Sequence, residues 1–379
     1  MNHVDPDMCT AYGVIMAGGS GERFWPLSRA NRPKQLLPLG ADGQTMLEEA
    51  IRRIEPVIPL DRILIITGGA LRDAILDELP WFPADNVVAE PAKRNTAPCL
   101  ALAAAIIEAR HTQAQAHPLM AVLTADHFIG DEAEFRRNVE TALNHACSCN
   151  SLVTLGVQPS RPETGYGYIE VEDHTSADSP VKQVKAFREK PDAPKALEYM
   201  RGGNHLWNSG MFFWRVDVFI EQMQKHLPDV GNAIRPLASL LRSSSGPTPA
   251  GDELGGLAAL FTALPNVSID YGLMEKADSV AVVPVGFVWD DVGSWDSLYR
   301  LRNTNDNGTV HQGTVIDVES TNCVLINAAD SSHVLATVGV QNVIVVVTPD
   351  ATLVCAGDKA QQVRDVVREL RSQGRTDVI

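Results

Sequence analysis

No stretch of this 379-residue chain approaches the roughly 18 uninterrupted apolar residues that a membrane-spanning helix needs. The first ten residues, Met1 to Thr10, carry acids and lack the apolar run of a secretory leader. Together these absences predict a cytoplasmic protein with no membrane partner. Cysteine is sparse and without a framework spacing: Cys9, Cys99, Cys147, Cys149, Cys323 and Cys355 are scattered, several in apolar stretches, so reduced thiols are expected. His145, Cys147 and Cys149 lack a fourth nearby ligand and do not make a zinc template. Basic residues are also short, 32 Lys and Arg against 47 Asp and Glu, for a net charge of −15. That balance excludes the broad basic face that nucleic acid or an anionic membrane requires.

What is present is the composition of an ordinary folded chain, 45% hydrophobic and 21% charged. A single core usually stops growing near about 250 to 300 residues, so one large domain and a smaller unit are predicted. The few bases are clustered: Arg23, Arg29, Arg32 and Lys34; Lys93 and Arg94; Lys182, Lys185, Arg188 and Lys190. Such clusters are either local pockets for small anions or plain surface charge, and composition does not choose between them.

Short apolar runs at Gly13 to Ala17, Arg62 to Thr67, Asn86 to Ala89, Leu119 to Thr124 and Ser151 to Val157 alternate with segments of helical length such as Ala97 to Arg110 and Glu132 to Ala146. Unalternating β-branched runs suit strands buried on both faces, so the class is α/β with a mixed, mostly parallel sheet and a ligand at the strands' carboxyl ends. Leu241 to Gly256, rich in Ser, Gly and Pro, reads as a mobile surface excursion. From about residue 303 the texture turns to short β segments (Gly313 to Val318, Cys323 to Asn327, Val343 to Val347, Thr352 to Cys355) and a closing helix through Gln361 to Leu370. Residues 1–302 and 303–379 are therefore the expected domains, the second a small coiled or stacked β unit.

The first strand runs into Ala17-Gly18-Gly19-Ser20-Gly21-Glu22-Arg23-Phe24-Trp25-Pro26. This loop has no Gly-Lys-Ser/Thr, and Phe24 stands where a dinucleotide loop needs its third glycine. It can still turn backbone N–H groups toward an anion, with Arg23 and Lys34 as counter-charges. Alone, it is equally readable as a tight turn.

Continued through Pro33-Lys34-Gln35, this stretch resembles the signature of the sugar-nucleotide pyrophosphorylases, and most of all the bacterial mannose-1-phosphate guanylyltransferases (GDP-mannose pyrophosphorylases). Further matches follow in family order: Glu90 to Pro98, Ala125-Asp126-His127, Gly165 to Ile169, Phe187 to Pro191, Asn208 to Phe212, Ser268 to Tyr271 and Trp289 to Trp295. They cover roughly residues 12 to 300. The resemblance implies a Rossmann-like nucleotidyltransferase domain, then a short left-handed β-helix and terminal helix, in an enzyme that converts GTP and mannose 1-phosphate to GDP-mannose and pyrophosphate. It further implies Mg²⁺ held by Asp126 and Asp291, rather than Asp290, and in-line attack on the α-phosphorus without a covalent enzyme intermediate.

Matched residue by residue, the nucleotide set is Gly18, Gly19, Ser20, Gly21, Glu22, Arg23, Lys34, Glu90, Arg94, Asn95, Thr96 and Asp126. Arg23 and Lys34 fall to the triphosphate, with Arg94 a further phosphate contact. Glu90 is read as the guanine reader: guanine offers two adjacent donors to a carboxylate, whereas Glu90 otherwise merely precedes a turn-forming proline. The sugar-phosphate set is Gly167, Glu189, Lys190, Asn208 and Asp270, Lys190 falling to the phosphate, with Tyr166 and Tyr168 as wall. Arg23, Lys34, Asp126 and Asp291 form the catalytic group. A homodimer is implied too. Many relatives carry a C-terminal phosphomannose isomerase domain; no isomerase activity is expected of this chain. A different hexose phosphate or nucleotide, or a non-catalytic sensor on the same fold, are the competing readings.

Overall fold

A computed structural model describes residues 9–40, 43–111, 117–172, 179–243, 252–302 and 304–379. Along the chain lie β1 (Cys9–Ala17), α1 (Met46–Ile54), β2 (Ile63–Gly68), α2 (Gly69–Glu78), β3 (Val87–Glu90), α3 (Thr96–Arg110), β4 (His117–Thr124), β5 (Phe128–Ile129) and α4 (Glu132–Ser148). Next come β6 (Leu152–Val157), β7 (Tyr168–Val171), β8 (Lys182–Arg188), α5 (Ala193–Gly202), β9 (His205–Arg215), α6 (Val216–His226), α7 (Pro228–Ser243) and α8 (Asp252–Thr262). The remainder is β10 (Val280–Val285), β11 (Trp289–Asp290), α9 (Leu298–Leu301), β12 (Val310–Gln312), β13 (Val315–Val318), β14 (Val324–Asn327), β15 (Leu335–Val338), β16 (Val343–Val347), β17 (Thr352–Ala356) and α10 (Val363–Ser372).

Contacts divide the chain into two compact units. Unit 1 comprises Met1–Ala17, Ala50–Thr124 and Gly130–Phe287; unit 2 comprises Gly18–Glu49, Ala125–Ile129 and Val288–Ile379.

Unit 1 is built on one sheet of order β3-β2-β1-β4-β9-β6-β10-β8-β7. The five strands expected from apolar runs are all present, and β3, β2, β1 and β4 pair in parallel. The sheet is mixed, but antiparallel pairing takes a larger share than the sequence led us to expect. β9 lies antiparallel to β4 and β6, β8 to β10, and β7 to both β8 and β9. Helix α3 is buried from Ala97 to Ile107 within the main core. Its small alanines let neighbouring elements approach on every side, which is why it shows no amphipathic stripe. Asn95 caps it, the side chain accepting from the Thr96 N–H at 2.9 Å.

Two expectations change in this unit. Cys9 of β1 and Cys147 of α4 are joined in a disulfide, their Cα atoms 6.4 Å apart, so the thiols are not all reduced. A separation of 138 residues leaves no spacing from which that pair could be read. The excursion expected over Leu241 to Gly256 is helical at both ends, in α7 and α8, while residues 244–251 lie outside the described residues.

Unit 2 has as its scaffold a β-helix-like coil. β12, β14 and β16 stack in parallel with β17 antiparallel at the end, and β13 pairs in parallel with β15. The core of the coil, Val324, Ile326, Ile344 and Val346, is continuous with Phe24 and Trp25 of the glycine-rich segment, with Trp295, and with Val363 and Val367 of α10. The Trp25 indole donates to the Val378 carbonyl at 2.7 Å, and the Trp295 indole donates to the Trp25 carbonyl at 3.0 Å. Buried indole N–H groups need such partners, and here they fix the loop to the tail.

Candidate active site

In unit 2, Gly19, Ser20, Gly21, Glu22, Arg23, Lys34, Asp126 and Asp291 line one pocket of about 420 Å³, together with Phe24, His127, Gly293 and Arg364. Gly18 precedes them at the exit of β1. Gly21 has a φ of +62°, and a Cβ there would meet the Lys34 Cβ at 2.5 Å and its backbone nitrogen at 2.6 Å. Only glycine allows both that conformation and that approach. Lys34 is 6% exposed. Its ammonium donates to Asp126 Oδ2 at 2.9 Å and to the Asp291 carbonyl at 2.6 Å. Burial pushes the Asp126 carboxyl up, but Lys34 and His127 beside it hold it below its ordinary value. Arg23 presents a buried Nε with no hydrogen-bond partner, a donor that an anion would satisfy.

The two neighbouring aspartates are separated in role. Asp290 is 2% exposed, accepts from Arg300 Nε at 2.8 Å and from the Val292 N–H at 2.8 Å. That second bond supports Val292 at φ +48°, an unfavourable region for a β-branched residue. Asp291 lines the pocket.

His127, which the sequence reading passed over, joins the pocket wall. Burial lowers its pKa, against the pull of Asp126, and its Nδ1 accepts from the Trp289 indole at 3.3 Å. An acid followed by histidine at a strand's end was the available signal. Arg364 had none.

In unit 1 the five sugar-phosphate candidates form a connected set. The Asn208 N–H donates to the Gly167 carbonyl at 2.8 Å, and its amide donates to Asp270 Oδ1 at 2.9 Å. A Cβ on Gly167 would meet Glu189 Oε2 at 2.5 Å, so glycine is again required by close approach. Glu189 pairs with Lys190 at 2.8 Å. Asp270 opens a π-helical turn, and burial, then the nearby Glu189 charge, pushes its carboxyl up to about 6. Tyr166 and Tyr168 are buried; the Arg161 guanidinium donates to the first hydroxyl at 3.1 Å, and the second donates to the Glu163 carbonyl at 2.9 Å.

The base-side candidates also lie in unit 1. Glu90 ends β3, and burial pushes its carboxyl up to about 7 against smaller opposing effects of Cys99 and Lys93. Its Oε1 is buried without a partner. Thr96 accepts the Ile269 N–H at 2.8 Å and so pins the segment that enters Asp270. Arg94 donates to the Thr262 carbonyl, which commits part of the guanidinium expected to meet phosphate. The third basic cluster is in large part surface charge: Lys185, on β8, pairs with Glu170 at 2.6 Å. Arg29, of the first cluster, pairs with Asp350 at 2.7 Å.

Among the described residues no helix is long and apolar enough to cross a membrane. Residues 12–307 match the family model described as nucleotidyl transferase, and residues 313–370 match one described as a MannoseP isomerase/GMP-like β-helix domain. The chain is 39% identical over 96% of its length to mannose-1-phosphate guanylyltransferase ManC of Salmonella typhimurium, covering 74% of that protein. It is 37% identical, with the same coverage, to the mannose-1-phosphate guanylyltransferase of Escherichia coli. A crystal structure from Thermus thermophilus, described as a mannose-1-phosphate geranyltransferase, superposes with a TM-score of 0.83 at 35% identity over 95% of this chain and 99% of that one. With a glycine-rich pocket, a mixed sheet, a β-helix-like tail and matches over nearly its whole length, this chain belongs to the nucleotidyl transferase family, in the branch of the mannose-1-phosphate guanylyltransferases.

Proposed function

We propose that the chain transfers GMP from GTP to mannose 1-phosphate, giving GDP-mannose and pyrophosphate. The observation that carries the reading is the unit 2 pocket, which joins glycine backbone, an unpartnered arginine donor and the aspartates Asp126 and Asp291, in a chain 37–39% identical to two mannose-1-phosphate guanylyltransferases. An oxygen of mannose 1-phosphate forms a bond to the α-phosphorus as the bond from that phosphorus to the bridging oxygen breaks, and pyrophosphate leaves with the electron pair. The sugar phosphate is already an anion, so no side chain has to act as nucleophile. The chain's work is to hold two polyanions and stabilise charge on the departing one.

Gly18 to Gly21 present backbone donors to the triphosphate, Arg23 and Lys34 supply counter-charge, and Glu22 shapes the loop. Asp126 and Asp291 are the ligands for Mg²⁺: one or two carboxylates plus phosphate oxygens and water are what that ion takes, and both side chains line the pocket. When bound, Mg²⁺ screens the phosphate charge and polarises the phosphorus. Asn95 and Thr96 orient the start of α3, and Arg94 keeps part of its guanidinium for phosphate. Lys190 meets the sugar phosphate, while Gly167, Glu189, Asn208 and Asp270 take the hydroxyls. We place the enzyme in the cytoplasm as a homodimer. Exposed Ile316 and Val318 on β13 and Val338 on β15 support self-association.

The test is pyrophosphate release with Mg²⁺ across GTP, ATP, dTTP and UTP, each with mannose 1-phosphate and glucose 1-phosphate. GTP with mannose 1-phosphate is expected to be preferred. Another preferred pair would keep the reaction and overturn the specificity, and silence throughout with nucleotide sugar still bound would make the protein a sensor.

Glu90 supplies a sharper check. Its buried, unpartnered Oε1 is suited to a guanine donor, and Glu90→Gln is expected to lower kcat/KM for GTP by about ten- to a hundredfold relative to dTTP, the scale of a charged hydrogen bond. The accepting carboxylate predominates above its pKa of about 7. As pH falls below that value, the wild-type kcat/KM for GTP is expected to decline toward about tenfold per unit, a limb that Glu90→Gln lacks. Superimposable profiles would remove Glu90 from base recognition.

A further inference from the structure

We propose that Arg364, on the C-terminal helix α10, is a ligand for the pyrophosphate end of the nucleotide and thus a binding residue of the same pocket. This inference rests on the reading of the unit 2 pocket as a triphosphate site. Without Arg364 the carboxylates lining the pocket would outnumber its cations. It is lined by three carboxylates, Glu22, Asp126 and Asp291, and by three cations, Arg23, Lys34 and Arg364. Lys34 is engaged by Asp126 and by the Asp291 carbonyl. Two guanidiniums, Arg23 and Arg364, are left to face an incoming polyanion.

Arg364 is well placed to do so. Its ion-pair partner among the described residues is its own neighbour Asp365 at 3.9 Å, the limit of such a pair, and Asp365 already takes Arg368 at 2.6 Å. The helix that carries it is anchored through Val363 and Val367, 2% and 3% exposed, in the core that also holds Phe24 and Trp25. The position of the guanidinium is therefore tied to the glycine-rich loop. Two turns along the same face, Arg371 pairs with Glu22 at 3.0 Å and offsets the acid that would otherwise repel phosphate from the loop. A planar fork of donors is the chemistry that suits two phosphate oxygens at once.

The experiment is titration of the full-length protein with pyrophosphate in the presence of Mg²⁺ by calorimetry, alongside KM values for GTP and mannose 1-phosphate. For Arg364→Ala the pyrophosphate Kd and the KM for GTP are expected to rise about tenfold, at the lower end of a lost charge-assisted hydrogen bond because the side chain is 56% exposed. The KM for mannose 1-phosphate and the melting temperature stay as in wild type. Arg364→Lys should recover part of the loss, and Arg375→Ala, just past the same helix and paired with Asp377 at 2.9 Å, should change nothing. Wild-type-like pyrophosphate binding by Arg364→Ala, or an equal rise with Arg375→Ala, overturns the inference alone. Failure of the wild-type protein to bind either pyrophosphate or GTP overturns the reading of the pocket, and the inference with it.

Discussion

Asp291→Asn is expected to lower turnover by roughly a hundred- to a thousandfold with little change in stability, the several kcal/mol of transition-state stabilisation that a catalytic metal supplies. The amide keeps the shape of the side chain but gives up the charge that a hard cation needs. Asp126→Asn is expected to match that loss of turnover and to add a stability cost, because Asp126 is also the counter-ion of the buried Lys34. The sign of that cost is fixed by the carboxyl's depressed pKa. The ionised form stabilises the fold at neutral pH, and that contribution fades as pH falls through the folded pKa, below the ordinary value of 3.8. The stability gap between wild type and Asp126→Asn should therefore close in acid. Rates measured at saturating Mg²⁺, with denaturant titrations at neutral and acid pH, check both claims; near-normal turnover in either variant would put the metal elsewhere.

The residue next door should behave in the opposite way. Asp290→Ala is expected to cost about 2 to 3 kcal/mol of unfolding free energy, somewhat less than a fully buried pair because Arg300 is 35% exposed. The bonds to Asp290 and Asp296 outweigh burial and raise the Arg300 pKa, so removal of Asp290 leaves a guanidinium with one partner fewer. It also leaves the Val292 N–H without its acceptor, and with it the support for a positive φ immediately after Asp291. Asp290→Asn, which keeps an oxygen for Val292, should lose less. Denaturant midpoints of the two variants decide the matter. If Asp290→Ala is as stable as wild type but inactive, Asp290 rather than Asp291 belongs with the metal.

The contrast shows what could be read from sequence and what could not. Strands β1 to β4 and β6 were legible because they are buried on both faces, and continuous β-branched runs have few other uses. β9 was not, because Asn208-Ser209-Gly210 in its middle has the chemistry of a turn. The structure instead places Asn208 between Gly167 and Asp270, so the polar residues that hid the strand are the ones that give it a role. β8 showed in the sequence only as a cluster of bases, Lys182, Lys185 and Arg188, open between an anion pocket and surface charge, when it is a strand whose burial alternates. The glycine loop could be located, yet its partner could not: no local pattern tells that a Trp25 indole will close on a carbonyl 353 positions later. Arg364 is hidden for the same reason. On a helix with apolar positions every three or four residues, an arginine beside them looks like ordinary solvated charge.

That closure sets an order on the protein's own synthesis. As the chain leaves the ribosome, the glycine-rich loop emerges among the first forty residues, but the core around Phe24 and Trp25 waits for Trp295, for the coil and for the segment near Val378. The segments of unit 1 end at Phe287. In a chain made from the N-terminus onward, the loop at Gly18 to Trp25 is therefore synthesised long before the residues that complete its core.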